Sequence, residues 1–411
     1  MIVHIDCNNF FASCEVADRP ELIGKPIVVA NANEAGGGII LALSAEAKQL
    51  GLKRGNPIFQ VKKIIEQQGV IIMPVRHKRY REISKQIMRL VVEQDIVQNF
   101  RQYSIDEFFG EIPLDTEAEV KNYITKVKNL ITNKTKIPVS CGCSQTYTLA
   151  KVATWYAKHY AGYNGVCVLS EANRAKALKN LNISDVWGIG RANSRFLAEN
   201  GIVFAIDYAN LPNYYVKHKL GVGGHRTWCE LNGQQAIEIN KHDNQKSIMH
   251  SRTFDFMTND KNKLRELLAS FSADVAAKLR AQKSVCGLVT VFLQTNIHRS
   301  DLPQYSASNS SKFPTPTQDT ALITTFALKI LNQIYHPDFQ YKKMGIVLSN
   351  IVPDSAVQLD LFDTRDIHRS EKLMRTIDEI NKRFGDETIH SALANTKPSD
   401  NDMINDDIND E

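Results

Sequence analysis

The sequence predicts a mixed α/β (α+β) chain of several domains. Three observations lead there. At 411 residues the chain exceeds what one hydrophobic core usually serves. Strand-like and helix-like hydrophobic periods alternate over the first 165 residues and again over residues 247–352. Between them, residues 167–240 carry helical patterns and Gly-centred turns with little strand character.

Ile2 to Ile5 reads as a strand ending at Asp6, and Phe10 to Val16 begins a helix. Pro26 to Ala30 is a second strand, Leu43 to Leu50 is helical by composition, and Gly51 to Pro57 is a turn. Ile83, Ile87, Leu90 and Val91 share one face of a helix over Tyr80–Asp95. Tyr103 to Ile112 reads as two short strands meeting at Asp106 and Glu107. A helix over Val120–Thr132 and a strand over Ile137–Cys143 follow. The first 165 residues thus form one α/β layer with a small insertion at about residues 19–75. Further on, Leu264–Leu279 is an amphipathic helix, and Val285–Ile297 and Met344–Val352 are strands. Ser306 to Thr317, rich in Ser, Pro and Thr, reads as a loop. Beyond Pro353 come a short apolar motif, a helix over about Asp366–Phe384 and an acidic tail of disordered composition.

No apolar run has the length of a membrane span, and the first strand lacks the basic flank of a signal peptide. Seven scattered cysteines, with Cys141 and Cys143 the only close pair, complete no zinc set and read as reduced thiols of a cytoplasmic protein. Net charge is +5, but Ser399–Glu411 holds six acidic residues and no Lys or Arg. The rest carries 50 basic against 39 acidic residues, or +11, which suits a polyanionic partner.

Asp6, Asp106 and Glu107 are the candidate chemistry. Three gathered carboxylates repel unless cations lie between them, and hard oxygen donors select Mg²⁺, with Mn²⁺ as the alternative. Two such ions about 4 Å apart activate an attacking hydroxyl and stabilise a leaving phosphate oxygen. Taken alone, these residues fit better as unrelated acids at strand ends.

Their flanks decide between the two. Asp6-Cys7-Asn8-Asn9-Phe10-Phe11-Ala12-Ser13-Cys14-Glu15 resembles the opening of the Y-family DNA polymerases. Tyr103-Ser104-Ile105-Asp106-Glu107-Phe108-Phe109, about a hundred residues on, resembles that family's second metal motif. The UmuC-like branch is the nearest match, from residue 1 to about residue 390. The resemblance implies a right-hand polymerase for error-prone translesion DNA synthesis in the SOS response to DNA damage. Its parts would be a palm (1–18 and 76–166), small fingers (19–75), a helical thumb with a helix-hairpin-helix (167–240), an α/β little finger (241–352), a C-terminal extension (353–398) and the tail (399–411).

It also implies residue roles. Asp6, Asp106, Glu107 and the carbonyl of Cys7 would hold two Mg²⁺ ions, and Phe11, beside Phe10, would be the steric gate against a ribose 2′-OH. Lys48, in Ala45-Glu46-Ala47-Lys48, and Lys158 would meet the dNTP triphosphate. Lys151 shares a helix face with Lys158 but suits a solvated surface. Gly188 and Gly190 form a turn whose N–H groups suit DNA phosphate, and Arg252, Lys278, Arg280, Lys283 and Arg299 are further phosphate candidates. Gln358-Leu359-Asp360-Leu361-Phe362 resembles the bacterial sliding-clamp binding motif, with Gln358, Leu359, Leu361 and Phe362 as anchors. Primed template DNA, the clamp, a processed UmuD dimer and RecA are the implied partners. A stand-alone polymerase-IV-like enzyme, a nucleotide cyclase and a non-catalytic DNA- or clamp-binding scaffold are the competing readings.

Overall fold

A computed structural model of the chain describes residues 1–31, 37–94, 96–114, 116–239, 244–356, 367–385 and 388–394. They divide into two compact units, one over Met1–Ile239 and one over the described residues from 244 onward.

In the first unit the elements run β1 (Ile2–Cys7), α1 (Phe10–Asp18), β2 (Ile27–Ala30), β3 (Ile40–Leu43), α2 (Ala45–Gln49), α3 (Ile58–Gln67), β4 (Ile71–Pro74), α4 (His77–Glu93), β5 (Gln98–Gln102) and β6 (Glu107–Glu111). They continue with α5 (Glu117–Thr135), β7 (Val139–Ser144), α6 (Tyr147–His159), β8 (Val166–Val168), α7 (Glu171–Lys179), α8 (Arg191–Glu199), α9 (Ala205–Ala209) and α10 (Asn213–Leu231). A five-stranded sheet, β5-β6-β1-β7-β8, forms the base. Its ladders are antiparallel except β7 with β8. Val3, Ile5 and Cys7 of β1 enter one core with Ile83 and Ile87 of α4 and Val120 and Ile124 of α5.

The segment between α1 and α4 carries its own sheet, β3-β2-β4. Strand alternation splits β2 between two cores. Val28 and Ala30 pack with α3, while Ile27 and Val29 join the core of the larger sheet. Residues after β8 form helices around α6, with Leu149, Val152 and Tyr156 sharing a core with Leu178, Leu197 and Tyr208.

The second unit holds β9 (Ile248–Thr258), α11 (Lys261–Ala281), β10 (Ser284–Thr295), β11 (Ser306–Thr317), α12 (Thr320–Ile334), β12 (Tyr341–Pro353) and α13 (Ile367–Phe384). Its antiparallel sheet, ordered β11-β10-β12-β9, is covered on one face by α11 and α12. The Ser/Pro/Thr-rich stretch expected as a loop is the strand β11. It lies at the sheet edge, where Pro314 and Pro316 break no central ladder and the serines face solvent.

Two more expectations change. Leu43 ends a strand rather than starting a helix, which begins only after Ser44 caps the N–H of Ala47. The two strands expected to meet at Asp106–Glu107 are separated by the turn Tyr103–Asp106. All seven cysteines are buried with free thiols. Among the described residues, no helix is long and apolar enough to cross a membrane.

Candidate active site

Two periodicities build the site. Since Val3, Ile5 and Cys7 point into the core, His4 and Asp6 point to the other face of the sheet. In the β1–β6 ladder Asp6 pairs with Glu107 and His4 with Phe109, so all four share that face. Across it lies α6, whose Lys151, Thr154 and Lys158 fall on one side of the helix by their spacing. Lys158 Nζ lies 2.5 Å from Asp6 Oδ1 and Lys151 Nζ 2.9 Å from Glu107 Oε1. Thr154 Oγ1 is 2.8 Å from His4 Nδ1. Gly142 on β7 permits this close approach, because a Cβ there would stand 2.2 Å from the backbone nitrogen of Thr154.

Asp106 occupies the turn before β6. Its carboxylate accepts from the Ser104 hydroxyl at 2.7 Å, and its carbonyl accepts from the Cys7 N–H at 2.9 Å. The sequence leads to the expectation that Asp106 bridges both ions with Asp6 and that Glu107 reaches one ion from the hairpin turn. The structure instead puts Asp106 in the turn and Glu107 on the strand. Tyr103 and Ser104 donate their N–H groups to the Glu107 carbonyl, which closes the hairpin and makes Glu107 the strand residue opposite Asp6. The Cys7 thiol is buried in the core, leaving its carbonyl as the group through which it could meet a cation.

Burial dominates the electrostatics of Asp6. It lifts the carboxyl to about 6 with help from the nearby Glu107 and Asp106 charges, against the opposing pull of Lys158. Burial would raise Glu107 too, but its contacts with His4 and Lys151 outweigh that and hold it at about 2. His4 Nε2 lies 3.4 Å from Glu107 Oε1, an ion-pair distance rather than a well-formed hydrogen bond. Burial lowers His4 to about 4, so its imidazole is neutral at physiological pH.

These donors suit a hard cation. Three carboxylates from one ladder and its turn sit within electrostatic reach of one another, and all offer oxygen. Among the described residues, no three His, Cys, Asp or Glu side chains form a ready-made cage. The two α6 lysines carry counter-charge to Asp6 and Glu107.

Lys151 belongs to the site rather than to a solvated surface. Its side chain is only 15% exposed. Its ammonium sits 4.8 Å from the Tyr103 ring centre and 5.1 Å from that of Trp187. The Trp187 indole donates to the Tyr103 hydroxyl at 3.2 Å. Trp187 leads into the turn of Gly188 and Gly190, which precedes α8. Gly188 has φ 90°, and a Cβ there would stand 2.2 Å from Thr227 Oγ1, so both conformation and space demand glycine. A cleft of about 660 Å³ joins Asp6, Glu107, Lys151 and Lys158 to this turn. Sequence reasoning missed His4 and discounted Lys151. The usable signal was the helix period of Lys151, Thr154 and Lys158 set against the strand period of His4 and Asp6.

Lys48 joins the same end of the site. Its amine donates to Asn9 Oδ1 at 2.5 Å, and its pKa is lowered by burial and then by the charge of Lys158. Phe11 is half-buried and stacks on Tyr80. Phe10 is buried in the core, which leaves it no surface for a nucleotide.

In the second unit the basic candidates separate. Arg280 is not available to phosphate. It is 9% exposed, forms a two-point pair with Asp378 of α13 at 2.6 and 2.8 Å, and donates to the Gln318 carbonyl. Arg252 pairs with Met344, on the helix-covered face of the sheet. Arg299 forms a two-point pair with Asp301 in the β10–β11 loop, and Lys278 is exposed on α11. The open face of the sheet instead presents Lys312 and Lys343, the cross-strand neighbours of Leu288 and Gln294, among Thr290, Ser308 and Ser310. The clamp-like motif Gln358–Phe362 and the acidic tail lie outside the described residues.

Comparison with known proteins bears on the whole chain. Residues 5–155 match the impB/mucB/samB family, residues 245–361 match that family's C-terminal domain, and residues 371–406 match a domain of unknown function, DUF4113. The chain is 32% identical to Protein UmuC of Salmonella typhimurium, covering 95% of this chain and 93% of that protein. It is 31% identical to Protein MucB of Escherichia coli, with 93% and 90% covered. To DNA polymerase IV of Oceanobacillus iheyensis it is 27% identical, with 98% and 93% covered. The fold matches a Y-family DNA polymerase chimera built on Dbh, with a TM-score of 0.67 at 24% identity, covering 86% of this chain and 99% of that one. An insertion ternary complex of Dbh polymerase matches with a TM-score of 0.54. The chain therefore belongs to the impB/mucB/samB family and is a UmuC-like translesion DNA polymerase of the Y-family.

Proposed function

We propose that the chain catalyses template-directed transfer of a deoxynucleotide from dNTP to a primer 3′-OH, in error-prone synthesis across damaged template during the SOS response. The observation that carries this reading is the pairing of Asp6 with Glu107 on one sheet face, with Asp106 in the adjoining turn and Lys158 over Asp6. Asp6, Asp106, Glu107 and the Cys7 carbonyl would hold the divalent ions. Two bound Mg²⁺, or Mn²⁺, would supply Lewis acidity at the attacking and leaving oxygens. Lys158 and Lys48 neutralise the triphosphate, and Phe11 backs the sugar. The turn at Gly188 and Gly190 offers N–H groups to a phosphate of the primed duplex. Lys312 and Lys343 on the open sheet face add sequence-independent phosphate contacts.

The division into palm, fingers, thumb and little finger is part of this reading. It is supported by the separate sheet of residues 27–74 and by the two compact units. Cytoplasmic location, clamp docking through Gln358–Phe362, and dependence on a processed UmuD-like dimer and RecA are further parts, supported by likeness to Protein UmuC over most of its length. Primer extension on an abasic template, with and without clamp, a UmuD-like partner and RecA filament, tests the reading. No extension under any of these conditions would refute it. Robust extension by the lone chain would favour a stand-alone polymerase.

A further inference from the structure

Phe11 belongs to a chain of contacts that ends in a fully buried carboxylate paired with a partly exposed arginine. Its ring stacks on that of Tyr80, with centroids 4.4 Å apart and planes 17° apart. His77 meets the Phe11 ring edge-on at 5.9 Å. Tyr80 is fully buried, and its hydroxyl donates to Glu15 Oε1 at 2.7 Å. Glu15 is also fully buried. Arg76 grips both its oxygens, donating through Nε to Oε1 at 2.8 Å and through Nη2 to Oε2 at 2.7 Å. The same Nη2 donates to Asp18 Oδ2 at 2.9 Å, and Asp18 is held in turn by Arg79.

A ring rejects a 2′-hydroxyl only if it cannot retreat. Ribo- and deoxynucleotides differ there by one oxygen, and a side chain free to shift about 1 Å would admit both. Close packing against a second ring removes that freedom, provided the second ring is itself fixed. A hydroxyl bonded to a carboxylate that a two-point arginine already orients is fixed. We propose that Tyr80, anchored by Glu15 and Arg76, is a positioning residue for sugar selection. It is the backing plate that keeps Phe11 rigid and so sets how strictly ribonucleotides are refused. This rests on the reading of Phe11 as the gate.

The test measures kcat/KM for dCTP and CTP opposite template G with the full chain, in the wild type, Tyr80→Leu, Tyr80→Phe, Phe11→Ala and Phe11→Ala/Tyr80→Leu. Tyr80→Leu should cut discrimination about tenfold, the ratio equivalent to an aromatic pair of ~1.4 kcal/mol, mainly by raising CTP incorporation. Tyr80→Phe keeps the stack and frees the ring from Glu15, and should cut it about threefold. In the Phe11→Ala background, Tyr80→Leu should change the ratio no further, because the wall it supports is gone. Unchanged discrimination in Tyr80→Phe and in any folded Tyr80→Leu, while Phe11→Ala loses it, overturns the role of Tyr80 alone. Unchanged discrimination in Phe11→Ala overturns the gate and this proposal with it. An equal further loss in the double variant also overturns the proposal, since Tyr80 would then act independently of Phe11.

Discussion

Glu107 stands directly opposite Asp6 in the β1–β6 ladder, and each carboxylate is met by a different lysine of α6. The pKa values of the two acids are nonetheless shifted in opposite directions. Asp6 is lifted to about 6 by burial, and Glu107 is kept at about 2 by its contacts with His4 and Lys151.

Asp106→Ala should reduce primer extension by at least about 10³-fold, the scale on which metal-assisted charge stabilisation acts. Binding of primed DNA, read by fluorescence anisotropy, should change less than about threefold, because Asp106 sits in a turn and, among the described residues, bonds to Ser104 and Cys7. Retained extension would remove Asp106 from the catalytic set.

Stability without divalent ions should fall as pH rises from about 4 to 6. The folded value of Asp6 lies above its ordinary 3.8, so its ionisation disfavours the fold, by at most about 3 kcal/mol. Glu107 has the opposite sign. Its depressed value adds stability above about 4.5 that is lost as pH drops toward 2. Thermal melts in chelator across this range, compared with Asp6→Asn, check both signs. The Asp6→Asn profile should be flatter between pH 4 and 6.

Lys151→Met should lower kcat by about 10- to 100-fold, as loss of a group that orients a metal ligand typically does. The aromatic walls of Tyr103 and Trp187 accept methionine, so the fold should persist. Direct Mn²⁺ titration by electron paramagnetic resonance should show altered affinity, since the ammonium that neutralises Glu107 is gone. Unaltered affinity would mean that Lys151 serves packing alone.

Gly142→Ala should destabilise the first unit by about 3 kcal/mol or more. The new methyl would overlap the backbone of α6 rather than a movable side chain tip. Any folded protein should have lost activity too, because α6 carries both lysines. Denaturant unfolding with a parallel extension assay tests the two effects.

Arg280→Ala and the pair Lys312→Ala/Lys343→Ala should part company. The first removes a buried arginine from a pair whose Asp378 is 35% exposed and should cost the second unit about 1–3 kcal/mol. The second should leave stability within about 0.5 kcal/mol per site and reduce the salt slope of DNA binding by about two. Equal salt slopes in the wild type and the lysine pair would show that the open sheet face does not meet phosphate.

Much of this site could be read from the chain, and the limits have physical causes. Asp6, Asp106 and Glu107 stood out because they lie beside distinctive aromatic and small residues. Lys158 stood out through the resemblance of its segment to a palm helix of the family. The order of Asp106 and Glu107 stayed hidden because a turn of four residues can place either acid on the strand, and backbone hydrogen bonds decide which. His4 looked like one more residue of an apolar strand, and only the ladder puts it beside Glu107. The strand β11 failed every local test for a strand, since solvent-facing edges tolerate Ser and Pro that a central strand would not. Arg280 looked like a phosphate contact because its partner Asp378 lies 98 residues away in sequence.

The placement of the cysteines has a practical consequence. All seven thiols are inside the fold, and burial pushes those of Cys141, Cys167 and Cys286 up to about 12. Alkylating reagents act on exposed thiolates, so the native protein should pass through maleimide chemistry untouched. A single cysteine introduced at an exposed position, such as Tyr214 at the start of α10, could carry a fluorophore without a cysteine-free background. The motions of this polymerase on DNA could then be followed one molecule at a time.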